Sequence, residues 1–189
     1  MQEFGVCVFD VTLDCEDGAP TGGELDHANM VVALANSAVE APELIANGLR
    51  RRIGVRVHAV GHGSFESDVE TVLGQAGAAL SYVMLPEGES LEDVDRAVVA
   101  IDAAYASAIP LHVLIESPMA VSRAFAIASH PRVESISFGL MDFVSSHGGA
   151  IPAGAMGTSA EPDGTRLDQF HHPLVLRAKT EVASACHAY

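Results

Sequence analysis

Basic side chains are scarce in this sequence of 189 residues, which has 10 Lys and Arg against 25 Asp and Glu and a formal net charge of −15. Such an acidic chain repels phosphate groups, which argues against nucleic acid or an anionic membrane as a partner. Aromatic residues are also few, at 5% with no Trp, whereas hydrophobic residues make up 49%. This composition favours helices packed on a sheet over an aromatic-rich sandwich.

Cysteine is equally sparse, and its three positions (Cys7, Cys15 and Cys186) form no CxxC pair or other metal-ligand spacing. We therefore expect buried or half-buried free thiols in a reducing compartment rather than disulfides. The first ten residues, MQEFGVCVFD, lack the basic and apolar regions of a signal peptide. The apolar stretches are too short for a membrane span. We expect a soluble, cytoplasmic protein without a membrane partner.

Apolar runs of strand length alternate with longer helical patterns along the chain. A strand that is followed by a helix and then by another strand is typical of a parallel sheet with right-handed crossovers. We predict strands at 5–13, 53–60, 80–85, 111–115 and 133–138, and helices at 25–46, 66–73, 90–106, 120–129 and 173–188.

Two α/β architectures fit this alternation, a doubly wound sheet and a (β/α)8 TIM barrel. A doubly wound nucleotide binder has a glycine-rich turn after its first strand, but here that strand ends in the acidic stretch DCEDGAP. Polar residues at the carboxyl ends of successive strands are typical of a barrel active site. We predict a single barrel domain over residues 1–189. Because only five of eight strands are found, we expect a barrel that is incomplete at both ends.

Glu116 ends one predicted strand, in LIESP, and Asp142 follows the next strand, in FGLMDF. The carboxyl ends of neighbouring parallel strands share one edge, so both carboxylates can face one point. Two carboxylates with water and substrate oxygens suit a hard octahedral cation, magnesium first and manganese second. The alternative is that Glu116 caps the following helix and Asp142 is a solvated loop acid.

Three acids, Asp14, Glu16 and Asp17, crowd the end of the first strand, where like charges repel one another. Arg56 lies among valines in IGVRVHAV, and a buried arginine needs an anion. That anion is either Glu16 or Asp17, in a structural ion pair, or a substrate carboxylate or carbonyl oxygen. His58 lies two residues further on, on the same strand face, and is a candidate to join such a site.

At these positions the chain resembles the citrate lyase β-subunit-like enzymes of the HpcH/HpaI aldolase family. Five short motifs match in order: LDCEDG for D-L-E-D-[GSA], VRVH for V-R-V-N, YVMLPEGES for L-P-K-x-E-S, LIESP for I-E-T-P and FGLMDF for F-G-x-x-D. Each motif is weak alone, but five in order at plausible spacing are specific.

The resemblance implies a (β/α)8 barrel, usually a homo-oligomer, that binds Mg²⁺ through Glu116 and Asp142. It also implies that Arg56 contacts substrate oxygens and that Glu16 and Asp17 lie near the water shell of the metal. The cation, its waters and Arg56 would then offset the acids of the first strand. The implied substrate is a small carboxylate or a coenzyme A thioester.

Three departures from the family pattern bear on function. The family's first strand, with an arginine that binds substrate, has no counterpart here, and neither do its last strands, which carry a catalytic acid in several members. Glu87 replaces the lysine of L-P-K, and His58 replaces the asparagine of V-R-V-N. We expect a Mg²⁺-dependent carbon–carbon lyase that cleaves a hydroxyacyl thioester or a hydroxy-oxo acid through an enolate. Two alternatives are a thioester hydrolase with the same metal site and a non-catalytic barrel that binds a metal or an acyl thioester.

Overall fold

A computed structural model describes residues 9–40, 52–105, 107–158 and 167–189. Five strands form one sheet in the order of the chain: β1 (Asp10–Asp14), β2 (Arg52–Arg56), β3 (Tyr82–Leu85), β4 (Leu111–Ile115) and β5 (Val133–Phe138). β1 pairs with β2, and β2 with β3, in parallel register. Each strand is followed by a helix. The predicted parallel β/α architecture of a barrel segment is therefore confirmed.

The helices differ in length. They cover Glu24–Val39, Phe65–Asp68, Gly74–Ala76, Leu91–Ala104, Pro118–Ser122, Ala124–Ala128, Leu140–Ser146 and Pro173–Ala188. A π-helical turn covers Val69–Leu73, and short 3-10 turns cover Gly77–Ala79 and Ala153–Met156.

Two compact units divide the chain, one made of Met1–Pro86 with Asp95–His112 and the other of Glu87–Val94 with Val113–Tyr189. The first unit has a core of branched apolar side chains from its strands and helices, among them Val55, Val83 and Ile101, which are fully buried. In the second unit the helix Pro173–Ala188 packs on β5 and on the helix Ala124–Ala128. Burial of these apolar surfaces supplies most of the driving force for folding.

Local signals set several of the boundaries. The Ser90 hydroxyl accepts the Asp93 N–H at 3.2 Å and thus caps the start of the helix Leu91–Ala104. Ser117 accepts the Ala120 N–H at 3.0 Å, and Pro118 occupies the first turn of the next helix. Glu116 is therefore not the helix cap that one interpretation assigned to it.

Several predicted elements differ from the structure. β2 stops at Arg56 instead of continuing to residue 60, because the His58 N–H turns away to the Asp68 carboxylate. The predicted helix 120–129 is broken at Arg123 into two short helices. A short helix, Leu140–Ser146, was not predicted. Residues 1–8 and 41–51, on which parts of the first predicted strand and helix fall, lie outside the described residues.

Of the described cysteines, Cys15 is buried and Cys186 is exposed, and both are free thiols. The expectation of free thiols is confirmed for these two, but burial of Cys186 was wrong. Cys7 lies outside the described residues. No helix in the described ranges is both long and apolar enough to cross a membrane.

Candidate functional site

The first group of predicted site residues lies at the ends of β1 and β2. Asp14 and Arg56 are the last residues of their strands and face each other in the parallel register. The Arg56 Nε donates to Asp14 Oδ1 at 2.8 Å, and Nη2 donates to Oδ2 at 2.6 Å. A bidentate pair of this kind fixes the plane of the guanidinium.

Arg56 also reaches the two acids that follow in the loop. Its Nη1 lies 2.7 Å from Glu16 Oε2, and its Nη2 lies 2.8 Å from Asp17 Oδ2. The Arg56 side chain is 20% exposed, whereas that of Asp17 is 79% exposed. Arg56 thus joins three carboxylates, and the cluster keeps two negative charges in excess. The crowding of acids at this strand end is relieved in part by Arg56.

The pKa values in this cluster follow from the ion pairs. Burial raises the pKa of Asp14, but hydrogen bonds from Arg56 and from the Glu16 N–H outweigh it and hold the pKa below 3.8. Hydrogen bonding to Asp14 raises the pKa of Arg56, against an opposing effect of burial. Both groups therefore stay charged across the physiological range.

The second group of site residues follows β4 and β5. Glu116, the residue after β4, is only 9% exposed, and its Oε2 accepts the Glu87 N–H at 3.0 Å. Gly139, the residue after β5, donates its N–H to the Ile115 carbonyl at 2.9 Å. A Cβ atom on Gly139 would lie 2.6 Å from Glu116 Cγ, so the missing side chain makes room for this carboxylate.

Asp142 lies three residues after Gly139, in the first turn of the helix Leu140–Ser146, and is exposed. It is therefore not a loop acid. Within the described ranges, no three His, Cys, Asp or Glu side chains are grouped closely enough to hold a metal by themselves. Glu116 and Asp142 nevertheless offer the oxygen donors that Mg²⁺ prefers, and this cation usually keeps several waters beside one or two carboxylates.

Residue 87 has an unusual backbone. Its φ angle of 49° makes Glu87 the one residue other than glycine with positive φ in the part of the chain that the structure describes. This left-handed conformation costs roughly 1–2 kcal/mol for an ordinary residue. Here it accompanies the hydrogen bond from the Glu87 N–H to Glu116.

Two contacts in these groups were not predicted from the sequence. Asp14, rather than Glu16 or Asp17, is the bidentate partner of Arg56, and the signal was available because both residues end neighbouring strands. Asp68, whose carboxylate binds His58, had no signal beyond its place in the acidic stretch FESD.

The comparisons with known proteins agree with this fold and these motifs. The model of the HpcH/HpaI aldolase/citrate lyase family matches residues 2–188. The chain therefore belongs to this family.

Individual relatives give the same result. An L-malyl-CoA/beta-methylmalyl-CoA lyase from Cereibacter sphaeroides is 32% identical over 148 residues, covering 73% of this chain and 43% of the relative. The structure of a citrate lyase from Burkholderia xenovorans is 42% identical, with a TM-score of 0.82 over 100% of this chain and 55% of that one. The chain thus spans about half the length of these relatives.

A more distant structure shows the same fold. The citrate lyase beta subunit from M. tuberculosis, in complex with oxaloacetate and magnesium, is 22% identical, with a TM-score of 0.63 over 94% of this chain and 63% of that one.

Proposed function

We propose that this chain carries the metal site and part of the substrate site of a Mg²⁺-dependent carbon–carbon lyase. The observation that carries the proposal is the seating of Glu116, a buried carboxylate at a strand end, which accepts the Glu87 N–H and packs against Gly139 where a side chain would clash with it. Burying a carboxylate is costly unless a partner or a cation compensates it.

In this proposal Glu116 and Asp142 are the direct protein ligands of Mg²⁺, and Mn²⁺ is the second choice. The cation would supply Lewis-acid stabilisation of the negative charge that develops on substrate oxygen. The chain contributes the fixed position of Glu116 and a second acid in the first turn of a helix. What supports the pair is their place in LIESP and FGLMDF, the two motifs that follow successive strands.

Arg56 is proposed to bind a carboxylate or carbonyl oxygen of the substrate, with Glu16 and Asp17 beside it. Asp14 holds the guanidinium through Nε and Nη2, which keeps its position fixed. Asp17 is the most exposed of the three partners, so a substrate anion can replace it at lowest cost. The catalytic contribution of Arg56 would be orientation and electrostatic stabilisation of the substrate.

The proposed reaction is aldol or Claisen cleavage of a hydroxyacyl thioester or of a hydroxy-oxo acid. The malyl-CoA lyase relative supports a coenzyme A thioester, and the citrate lyase relative supports a small carboxylate. Homo-oligomeric assembly and a cytoplasmic location are also proposals, for which the family resemblance is the support. Light scattering of the purified protein tests the first, and cell fractionation tests the second.

The test combines metal binding with turnover. Glu116→Gln and Asp142→Asn each keep the shape of the side chain and remove one charge, so each should weaken Mg²⁺ binding in calorimetry and abolish metal-dependent cleavage. Glu70→Gln, which removes the same charge from an exposed residue, is the control. Turnover is followed with L-malyl-CoA, beta-methylmalyl-CoA and 4-hydroxy-2-oxo acids, with and without Mg²⁺.

The products separate the competing functions. A new carbonyl compound indicates a lyase, free thiol without carbon–carbon cleavage indicates a hydrolase, and metal binding without any product indicates a binding role. Unchanged Mg²⁺ affinity in both variants would remove the basis of the proposal.

A further inference from the structure

A buried histidine–aspartate pair lies just beyond the end of β2. His58 is 7% exposed and Asp68 is 1% exposed, and His58 Nδ1 lies 2.6 Å from Asp68 Oδ2. The same oxygen accepts the backbone N–H of His58 at 3.0 Å. A carboxylate only accepts hydrogen bonds, so Nδ1 is the donor in this pair, and in the neutral form of the ring Nε2 is the acceptor. Two hydrogen bonds to one residue fix the imidazole in that tautomer and orientation.

Other titratable side chains lie near the His58–Asp68 pair. The ring of His62 stacks on the ring of His58, with centroids 4.3 Å apart and planes 11° apart. Burial raises the pKa of Cys15 to about 12, and the charges of Asp68 and Asp14 add to this effect. Cys15 follows β1, so the charge of Asp68 reaches the end of the first strand.

One further acid faces the two imidazoles. The pKa of Glu24 is lowered, first by a hydrogen bond from the Gly22 N–H and then by its own N–H. Glu24 begins the helix that follows β1. Among the described residues, Asp68 binds the His58 ring and His62 stacks on it.

We propose that His58 is the catalytic base of the cleavage reaction and that Asp68 is its positioning residue. This inference rests on the lyase function proposed above. His58 Nε2 takes the proton of the substrate hydroxyl, and the O–H electron pair forms the new carbonyl. The carbon–carbon bond breaks, its electron pair becomes the enolate of the second product, and the proton on His58 is then available to that enolate carbon. Protons and electrons balance without another reactant.

The position of His58 supports this role over a purely structural one. His58 follows Arg56 by two residues, on the strand whose last residue carries the proposed substrate-binding guanidinium. Among the described residues, no hydrogen bond is made by Nε2. A purely structural link to Asp68, at the end of the helix Phe65–Asp68, needs only a hydrogen-bond donor at the position of Nδ1. An asparagine amide would supply such a donor equally well.

That difference defines the experiment. His58→Asn keeps an N–H donor for Asp68 and removes only the Nε2 side of the ring, so the fold should hold while the base is lost. We expect kcat to fall by about 10²–10⁴-fold, with little change in KM and in the calorimetric Mg²⁺ affinity. His58→Ala opens space for a free base, and added imidazole should restore part of its kcat. His187→Asn, which makes the same change at an exposed position, is the control.

Each outcome decides the matter. A wild-type kcat in His58→Asn, or a loss in His58→Ala that imidazole does not reverse, overturns the assignment while the lyase function stands. A wild-type protein without cleavage activity overturns both proposals. If His58→Ala does not fold in a thermal melt, His58→Gln with the same kcat and KM measurement takes its place, and an unchanged kcat there overturns the assignment.

Discussion

Replacement of Gly139 by alanine is a direct test of how the chain seats Glu116. The φ angle of Gly139 is −84°, so alanine adopts this backbone without strain. Its Cβ, however, would lie 2.6 Å from Glu116 Cγ and 2.9 Å from Cδ, with Oε1 in closer contact still. Since ordinary van der Waals contact begins near 3.4 Å, the side chain of Glu116 must move by about 0.8 Å.

A shift of that size has two consequences. The hydrogen bond from the Glu87 N–H, 3.0 Å long, is stretched or lost. Hydrogen bonds to charged groups contribute about 1.5–3 kcal/mol, and a partial loss lowers the free energy of unfolding by about 1 kcal/mol. Mg²⁺ requires oxygens at about 2.0–2.1 Å in near-octahedral geometry, so the displaced carboxylate is a poorer ligand. Changes next to a metal ligand typically weaken affinity by about 10–100-fold, and we expect a loss in this range.

Calorimetric titration with Mg²⁺ and thermal melts of the metal-free protein measure the two effects separately. Gly63→Ala is the matched control, because a Cβ there meets no atom within 4 Å and φ is not positive. The control should keep the wild-type Mg²⁺ affinity. A Gly139→Ala protein that also keeps that affinity would show that Glu116 is not a ligand in this position, and the metal assignment would fail with it.

Three further perturbations test other contacts. Gly54→Ala places a Cβ against the ring of Tyr82, 2.6 Å from Cδ2. The variant should lower the free energy of unfolding, measured in urea melts, by about 1–3 kcal/mol. An unchanged unfolding midpoint would mean that the ring moves aside freely. Because the pKa of Asp14 is held below 3.8 in the folded state, its contribution to stability is present above that value and is lost as the pH falls through the lower, folded pKa. Asp14→Asn should therefore flatten the acid limb of a stability–pH curve, and a limb as steep as that of the wild type would contradict the argument. Glu87→Gly removes the strain of a positive φ and should raise the melting temperature while keeping Mg²⁺ affinity; a lower melting temperature would show that the Glu87 side chain stabilises the fold.

Elements with strong local signals were predictable. β4 and β5 match their predicted bounds to the residue, and so does the helix Pro173–Ala188. Each strand is a short run of β-branched or apolar residues, and the helix has an amphipathic pattern. All three have clear breaks at both ends. The order of the strands followed from the same signals, because a parallel sheet built from successive β/α units has few alternative connections.

The missed features have two causes, which are contacts between residues that are not neighbours in sequence and elements too short to show a pattern. The bidentate pairing of Arg56 with Asp14, 42 positions away, follows only once β1 and β2 are placed side by side in register. The end of β2 depends likewise on Asp68, whose carboxylate takes the His58 N–H from the sheet. The helix Leu140–Ser146 has only seven residues, too few for a periodic pattern to stand out.

The glutamate at position 87, where the family motif has lysine, illustrates how a charge reversal can be tolerated at a candidate site. What Glu116 receives from residue 87 is a main-chain N–H, and any residue except proline supplies one. The side chain of Glu87 is exposed, so its charge is screened by solvent and acts only weakly on the site. The backbone conformation, rather than the sign of the side-chain charge, is therefore the property of this position on which the seating of Glu116 depends.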